Sequence, residues 1–554
     1  MLTLKTRAEF HTLLDAAALT NQGQKPAIIY LETGQEPITV STVDFQTISG
    51  RYAGALQAAG IMPRDLVMIA HTQNLESIYA FWGALRMGAI PSMFPTLTEK
   101  LDPTVYMQQM AELIRFSGVR AVLTTDEFKP QLAPVADCLI LGSSDIQQSE
   151  AFTPYEPESD TIAFLQHSSG TTGLQKGVAL SHRAVLNQLA AYSEPLQLSE
   201  SDVIVSWLPL YHDMGLIAGF LLPLIQGIPL ILMSPFDWVK HPALLLRAIH
   251  DYRGTLCWLP NFAYNHMTRR IRKRDTEGLD LSSIRAFINC SEPVHHESHQ
   301  QFLDRYAANG IQETMLTVSY AMAENTFAVT QTLSGQKSRL DAVDRRFLQE
   351  KGIATPIAPQ SSEAVLMVSC GAVIPNTRIC VLNEEGQEVP ERHVGELAVQ
   401  SDCMLTGYYQ RPDLNPFVSG WYRTGDMGYL AEGEVYVIGR KKDLIINAGK
   451  NVYPQDLEAI INTVEGVHPG RAVVFGVPDE REGTELIAVV AEVDTLDPDQ
   501  RKAISAAIRQ IVVSQTTVTV HFVHLVEEKW LLKTSSGKIA RAANRAKWQA
   551  ETHR

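Results

Sequence analysis

The chain predicts an α/β protein with a large N-terminal domain, made of βα subdomains plus a β-rich subdomain, and a small C-terminal α/β domain. Three observations predict it. Up to about residue 240, strand-like apolar runs alternate with helical stretches, as parallel βα units require. From Val365 to Val399 the pattern changes to short strands broken by turns at Asn383-Glu-Glu-Gly386 and Glu391-Arg-His393. The charged stretch Gly439-Arg-Lys-Lys-Asp443 then stands between two strand-like runs and opens a second, shorter βα passage. At 554 residues the chain exceeds one core, and 45% hydrophobic with 19% charged residues supplies buried material and gives no case for disorder.

In order, 27–30 reads as a strand, 45–59 as a helix, 66–70 as a strand and 77–87 as a helix. Gly88 ends that helix, the run to Pro95 starts a strand, and 119–124 and 138–141 continue the alternation. A polar connection, 156–160, leads through Thr161-Ile-Ala-Phe-Leu165 into a glycine- and hydroxyl-rich loop, ahead of a helix starting near Ser181. Residues 203–208 form a strand ending at Pro209-Leu-Tyr-His-Asp-Met-Gly215. The apolar run 216–233 just reaches the ~18 residues of a membrane span. Pro223, Gln226, Gly227 and Pro229 break it into a buried helix, a turn and a buried strand over 230–233. A strand at 254–259 leads into Pro260-Asn-Phe-Ala-Tyr-Asn265 and a basic helix over 269–274, read as a solvated face first and a docking surface second. Strands at 284–289 and 315–319 enter the turns Cys290-Ser-Glu-Pro293 and Tyr320-Ala-Met-Ala-Glu-Asn325. Residues 332–360 are polar and suggest an insertion with a short helix around 341–349. Past the hinge come a helix at 455–464, strands at 472–477 and 486–491, a helix at 499–513, a strand at 518–523 and the closing loop Lys533-Thr-Ser-Ser-Gly-Lys538.

The loop Ser168-Ser-Gly-Thr-Thr-Gly-Leu-Gln-Lys176-Gly reads as a phosphate cradle. Gly170, Gly173 and Gly177 let backbone N–H groups approach an anion, Ser168, Ser169, Thr171 and Thr172 add donors, and Lys176 adds charge. It is not a Walker loop, because Gln175 precedes the lysine and Gly177 follows it. Taken alone, it fits an ordinary surface turn equally well. His212 and Asp213 fall at a strand's carboxyl end, where open α/β sheets place their sites, although such a pair is more often a structural hydrogen bond. The net charge of −14 argues against nucleic-acid or anionic-membrane binding. Six cysteines without a C-x-x-C pair fit reduced thiols, and the N-terminus lacks the apolar core of a signal peptide, so a cytoplasmic enzyme is expected.

Five motifs stand in a fixed order: the loop 168–177, Tyr320 to Glu324, Tyr422 to Asp426, Gly439 to Asp443 and Thr534 to Lys538. On these the chain resembles the adenylate-forming superfamily of acyl-CoA synthetases, luciferases and nonribosomal peptide adenylation domains, over almost its whole length. Within it, Ser206-Trp-Leu-Pro-Leu-Tyr-His-Asp-Met-Gly-Leu216, Pro260 to Tyr264, the block from Leu279 to Val294 and Val368-Ser-Cys-Gly371 are similar to the fatty acyl-AMP ligases. The polar segment after Glu324 falls where those enzymes carry an insertion thought to restrain the small domain's swing. The chain departs from that subfamily at Ala321, Asn325 and Cys290-Ser291, positions bordering the nucleotide and acyl sites, so a plain long-chain fatty acid is not assured.

The resemblance implies a mobile small domain, with residues 1–441 as the adenylation domain and 442–554 as the domain carrying a catalytic lysine. It implies attack of a carboxylate on the α-phosphorus of ATP, then transfer of the acyl group to the phosphopantetheine thiol of a holo acyl carrier protein. ATP would be held by the loop residues 168–173 and Lys176, by Cys290, Ser291, Glu292, Pro293 and Tyr320 around adenine, and by Asp426 and Arg440 at the ribose. Glu324 and Thr171 would lie near Mg²⁺, Lys538 would bridge carboxylate and α-phosphate, and Lys442 would be the hinge. Trp207, His212, Asp213, Met214, Gly215, Asn261, Phe262 and Tyr264 are the acyl-pocket candidates. An acyl-CoA synthetase, an amino-acid adenylating enzyme and a non-catalytic nucleotide-binding regulator are the alternatives. No carrier domain is visible before Arg554, so the carrier is expected on another chain. The basic cluster Lys529, Lys533, Arg541, Arg545 and Lys547 would suit an acidic partner or form a solvated helix face.

Overall fold

The computed structural model describes residues 10–19, 23–72, 74–97, 103–146, 151–167, 176–447, 450–479, 484–516, 518–534 and 538–552. Two large sheets build the N-terminal region. One has nine strands, running from the edge strand Ala372–Val373 through Ala328–Gln331, Leu316–Ala321, Ala286–Asn289, Leu256–Leu259, Ile204–Ser206, Leu230–Met233 and Pro26–Leu31 to Ile38–Ser41. Its middle is parallel and its two ends are antiparallel. The other has seven strands, in the order Gly407–Tyr408, Gly177–Ser181, Ile162–His167, Ile90–Met93, Leu66–Ala70, Ala121–Thr124 and Leu139–Leu141. Leu66–Ala70, Ile90–Met93, Leu230–Met233, Leu256–Leu259 and Ala286–Asn289 are buried throughout, because helices cover both faces of a parallel sheet. That is why Leu66–Ala70, Leu230–Met233 and Leu256–Leu259 read as continuous apolar runs.

Helix Thr42–Ala58 begins at a capping box in which Ser41 and Asp44 satisfy each other's backbone N–H groups, and Ser181 caps His182–Ser193. The apolar run 216–233 splits as expected, but its first part is a π-helix, Met214–Leu221, continued by Leu222–Gln226 and a left-handed Gly227. Four readings need correction. Gly177–Ser181, taken as loop, is a strand antiparallel to Ile162–His167. The basic residues do not form their own helix: Asn261–Arg270 carries Arg269 and Arg270 in its last turn, and the chain then turns at Lys273–Asp275. The insertion contains a strand, Leu340–Asp344, as well as the helix Arg345–Lys351, and pairs with Ala364–Val368. A last helix, Arg541–Thr552, follows the closing loop.

The β-rich unit is an antiparallel sheet of Thr377–Leu382, Gly395–Ser401 and Trp421–Ala431, the last also pairing Phe417–Val418 and Glu434–Arg440. The small C-terminal domain has a sheet of Val467–Asp479, Thr484–Val493 and Val520–Val526, antiparallel then parallel. Alternation along these strands serves two cores. Val474, Ile487, Val489 and Ala491 meet helices Pro454–Ile461 and Pro498–Gln515 through Ile461, Ile504, Ile508 and Val512. Val473, Phe475, Ala488 and Val490 meet Trp548 on the other face. Tyr453 and Leu444 pack instead with Val343, Leu348, Tyr429 and Tyr436, joining the small domain to the insertion and the β-rich sheet. Among the described residues, no helix is long and apolar enough to cross a membrane.

Candidate active site

The strand pair that ends the β-rich unit builds one wall. Asp426 and Arg440 are register partners, and the Arg440 Nε pairs with Asp426 Oδ1 at 2.7 Å. From the large sheet, Tyr320 Oη donates to Asp426 Oδ2 at 2.6 Å, and Asp426 N donates to Thr424 Oγ1 at 3.0 Å. Tyr320 and Asp426 are both buried. Burial, followed by the Asp426 charge, holds the Tyr320 phenol well above its usual pKa, so it remains a donor.

Glu324 stands on a single 3₁₀ turn, Ala323–Asn325, just past the same strand end. Tyr408 Oη donates to Glu324 Oε1 at 3.0 Å and lies 3.3 Å from Tyr422 Oη. Lys176 sits 4.8 Å over the Tyr408 ring, held there by pairing of Gly407–Tyr408 with Gly177–Ser181. The Thr326 that follows has φ +63°, which for a buried β-branched residue is strained backbone. It centres a γ-turn with Phe327 N donating to Asn325 O at 2.6 Å, and its Oγ1 donates to Cys403 O at 2.7 Å. Asn325 Nδ2 bonds Ala328 O at 2.7 Å, and Leu405 N donates to Glu324 O at 2.8 Å, so the carboxylate's aim is fixed from several sides.

The opposite wall carries His212 and Asp213. Asp213 caps the π-helix, its Oδ1 accepting from Met214 N at 2.8 Å while meeting His212 Nδ1 at 2.8 Å. Burial works to raise the Asp213 pKa, but the His212 bond and charge, the Met214 N–H and the Lys538 charge together hold it below the usual carboxylate range. Lys538, half-buried, also bears on Cys290, whose thiol burial and the Asp213 charge push up to about 12. Ser291, at φ +72°, directs its hydroxyl to the Cys290 sulfur at 3.8 Å and to the Met214 sulfur at 4.0 Å. The 290–291 turn and the His212–Met214 corner therefore meet, and the Lys538 charge acts on both.

Not every expected residue faces this cleft. Glu292 Oε2 accepts from Phe262 N at 2.9 Å, capping helix Asn261–Arg270, and Pro293 is exposed. Asn261 is buried in a network with Asn289 (3.0 Å), Ser298 (3.1 Å) and the His295 N–H (3.3 Å). Tyr264 packs between His299 and Phe302. Both belong to the scaffold joining two helices to the sheet. Trp207 stacks on Trp238 at 3.7 Å, with Phe262 edge-on to both. Gly215 has no room for a side chain, since a Cβ would lie 2.2 Å from Pro209 O. Lys442 is exposed, with the Asp443 and Arg440 charges acting on its ammonium in opposite directions. Ser168, Ser169, Gly170, Thr171, Thr172 and Gly173 lie outside the described residues. In the basic cluster, Arg541 is consumed by ion pairs with Asp443 and Glu458, and Lys547 caps Trp530 O at 2.8 Å, so neither is spare for a partner. Sequence reasoning missed Tyr408 and Thr326. Tyr408 is 84 residues from Glu324, and Thr326 has the sequence surroundings of any strand-flanking threonine.

A large N-terminal domain built on two α/β sheets, followed by a small C-terminal α/β domain, is the fold of an adenylate-forming enzyme. The fold matches a structure from studies of fatty acyl-adenylate ligases of E. coli and L. pneumophila with a TM-score of 0.93, 27% identity and 99% coverage of each chain. The AMP-binding enzyme profile matches residues 14–409, and the chain belongs to that family, close to its fatty acyl-AMP ligases. It is 30% identical to the medium-chain-fatty-acid–[acyl-carrier-protein] ligase JamA of Moorena producens, over 98% of this chain and 96% of that one. It is 31% identical to the long-chain-fatty-acid–AMP ligase FadD32 of Mycolicibacterium smegmatis, over 95% and 92%.

Proposed function

We propose that the protein is a fatty acyl-AMP ligase that activates a carboxylic acid with ATP and passes the acyl group to a holo acyl carrier protein. In the first step a carboxylate oxygen attacks the α-phosphorus, the P–O bond to the bridging oxygen breaks, and pyrophosphate leaves. In the second, the carrier's thiol gives up its proton, its sulfur attacks the acyl carbonyl, and AMP leaves.

Residues 1–441 bind nucleotide and acid, and 442–554 bring Lys538. The observation that carries this reading is the buried Tyr320–Asp426–Arg440 cluster, supported by the Lys538 charge acting on Asp213 and Cys290. Asp426 offers a buried carboxylate to the ribose hydroxyls, with Arg440 and Tyr320 fixing its rotamer. Tyr320 and the 290–291 turn frame the adenine, and Lys176 with the preceding loop takes the outer phosphates. Glu324 is a hard oxygen donor of the kind Mg²⁺ accepts beside substrate phosphates, and Thr171 would join it. Mg²⁺ bound there would neutralise phosphate charge. The Lys538 ammonium holds the attacking carboxylate against the α-phosphate, where negative charge concentrates. Met214, with the Trp207–Phe262 corner, lines the acyl side.

Carrier transfer is favoured over coenzyme A transfer by the insertion, which grips the small domain. Glu350 on helix Arg345–Lys351 pairs with Lys450 at 3.5 Å, and Tyr453 is buried against Leu348 and Val343. The test offers ATP, Mg²⁺ and a panel of fatty, hydroxy and amino acids, with either coenzyme A or a holo carrier, and identifies products by mass spectrometry. Acyl-AMP with transfer to the carrier alone is expected. Lys538→Ala is expected to lower pyrophosphate release by about 100- to 1,000-fold with an unchanged melting temperature. Efficient acyl-CoA formation would overturn the carrier assignment, and silence with every acid would overturn catalysis.

A further inference from the structure

We infer that Arg541 is a positioning residue that bolts the pivot between the domains to the loop bearing Lys538. This rests on the proposed roles of Lys442 as pivot and Lys538 as the lysine at the reacting carboxylate. On the large-domain side the chain is held up to Lys441: Arg440 by Asp426 at 2.7 Å, and Lys441 Nζ by Glu396 Oε2 at 3.3 Å. On the small-domain side it is held again at Asp443, whose Oδ2 accepts from Arg541 Nη1 at 2.6 Å. Lys442, the proposed pivot, lies in the chain between the two sets of anchors.

Arg541 spends its remaining donors on the body of the small domain. Nη2 reaches both carboxylate oxygens of Glu458 at 2.8 and 2.9 Å, and Nε reaches Val474 O at 2.9 Å. Glu458 Oε1 accepts from Val474 N at 2.8 Å as well. The planar guanidinium thus locks Asp443, helix Pro454–Ile461 and strand Val467–Asp479 into one block, which a lysine's point charge cannot do. The three side chains are 16–22% exposed, so water screens them little.

Arg541 opens the last helix, three residues past Lys538. The neck of the lysine loop is closed by Thr534 N to Lys538 O at 2.7 Å and by the Lys533–Ile539 bridge. Asn544 pins its base, exchanging bonds of 2.8 Å with the Leu532 backbone. A turn at Lys442 therefore reaches Lys538 through Asp443 and Arg541 without slack.

The test uses the full chain with Asp443→Asn, Asp443→Glu and Arg541→Lys, each leaving the Lys538 loop and the apolar core intact. In steady-state pyrophosphate release, Asp443→Asn and Arg541→Lys are expected to lower kcat by about 10- to 100-fold, since small misplacements of a reacting group have that effect. KM for ATP and acid should stay within about two-fold, Asp443→Glu should recover part of kcat, and the double variant should be no worse than Arg541→Lys. Amide hydrogen exchange reads the same coupling without turnover: faster exchange at 538–540 is expected, with helix Pro498–Gln515 unchanged. Unaltered kcat, or a loss that follows melting temperature across the variants, overturns the inference, as does unaltered exchange. An inactive wild type would sink the reaction assignment, while exchange would still decide the clamp.

Discussion

Asp426 carries more of the cleft's geometry than any other carboxylate, because its two oxygens have different partners, the Arg440 guanidinium and the Tyr320 phenol. Asp426→Asn replaces a charged acceptor with a neutral amide. Hydrogen bonds to charged groups are worth about 1.5–3 kcal/mol, so KM for ATP should rise by about 10- to 100-fold. Tyr320→Phe removes one donor and should raise it by less than about ten-fold. Isothermal titration with a non-hydrolysable ATP analogue checks both, and equal effects would contradict a ribose role for Asp426. At this scale the motifs singled out Glu324, Asp426, Arg440 and Lys538, since each lies in a short stretch with its own spacing. Tyr408 and Arg541 were not. Their partners, Glu324 and Glu458, are 84 and 83 residues away, and no local pattern encodes such a meeting.

Element ends in the large domain carry buried neutral histidines. His167 closes the strand before the phosphate loop and bonds Ser92 Oγ at 2.9 Å. His182 accepts from Leu13 N at 3.3 Å, and His299 bonds Asn289 at 2.9 Å. Burial lowers each from 6.5 to about 4. Below pH 6.5 the unfolded chain takes protons that the folded chain refuses, so stability present above that pH is lost as pH falls towards 4. Well below pH 6.5 each histidine costs about 1.4 kcal/mol per pH unit, and while still titrating between pH 6.5 and 5.5 about 1 kcal/mol, so together they remove about 3 kcal/mol over that unit. Melting temperature should drop by several degrees between pH 7 and 5, and His299→Gln should flatten the slope. A pH-independent melting temperature would contradict this. Among the elements, the buried parallel strands were readable because two-sided burial writes itself as an apolar run. Gly177–Ser181 was not, because a short run beside a glycine-rich loop gains its strand character only from Ile162–His167.

At the scale of the molecule, the proposed carrier specificity rests on the insertion, which contacts the small domain. Helix Arg345–Lys351 and Tyr453 tie the small domain to the β-rich sheet. Replacing residues 345–363 with a short Gly-Ser linker should release the small domain and let coenzyme A compete with the carrier. Adenylation should change by less than about three-fold, because the linker lies outside the cleft. Acyl-CoA yield by mass spectrometry checks this, and a variant that still refuses coenzyme A would separate the insertion from acceptor choice.

The α/β class, the order of motifs and the placing of the charged residues along the chain were readable before folding, because periodicity and turn residues are local properties. Which charges meet depends on the folded chain. Folding tied Glu292, Asn261 and Tyr264 to neighbouring helices and Arg541 to Asp443 and Glu458, and it brought Tyr320 and Arg440 to the two oxygens of Asp426. Those pairings depend on sheet register and domain docking, which sum many weak contacts distant in the chain and leave no trace in any short stretch of it.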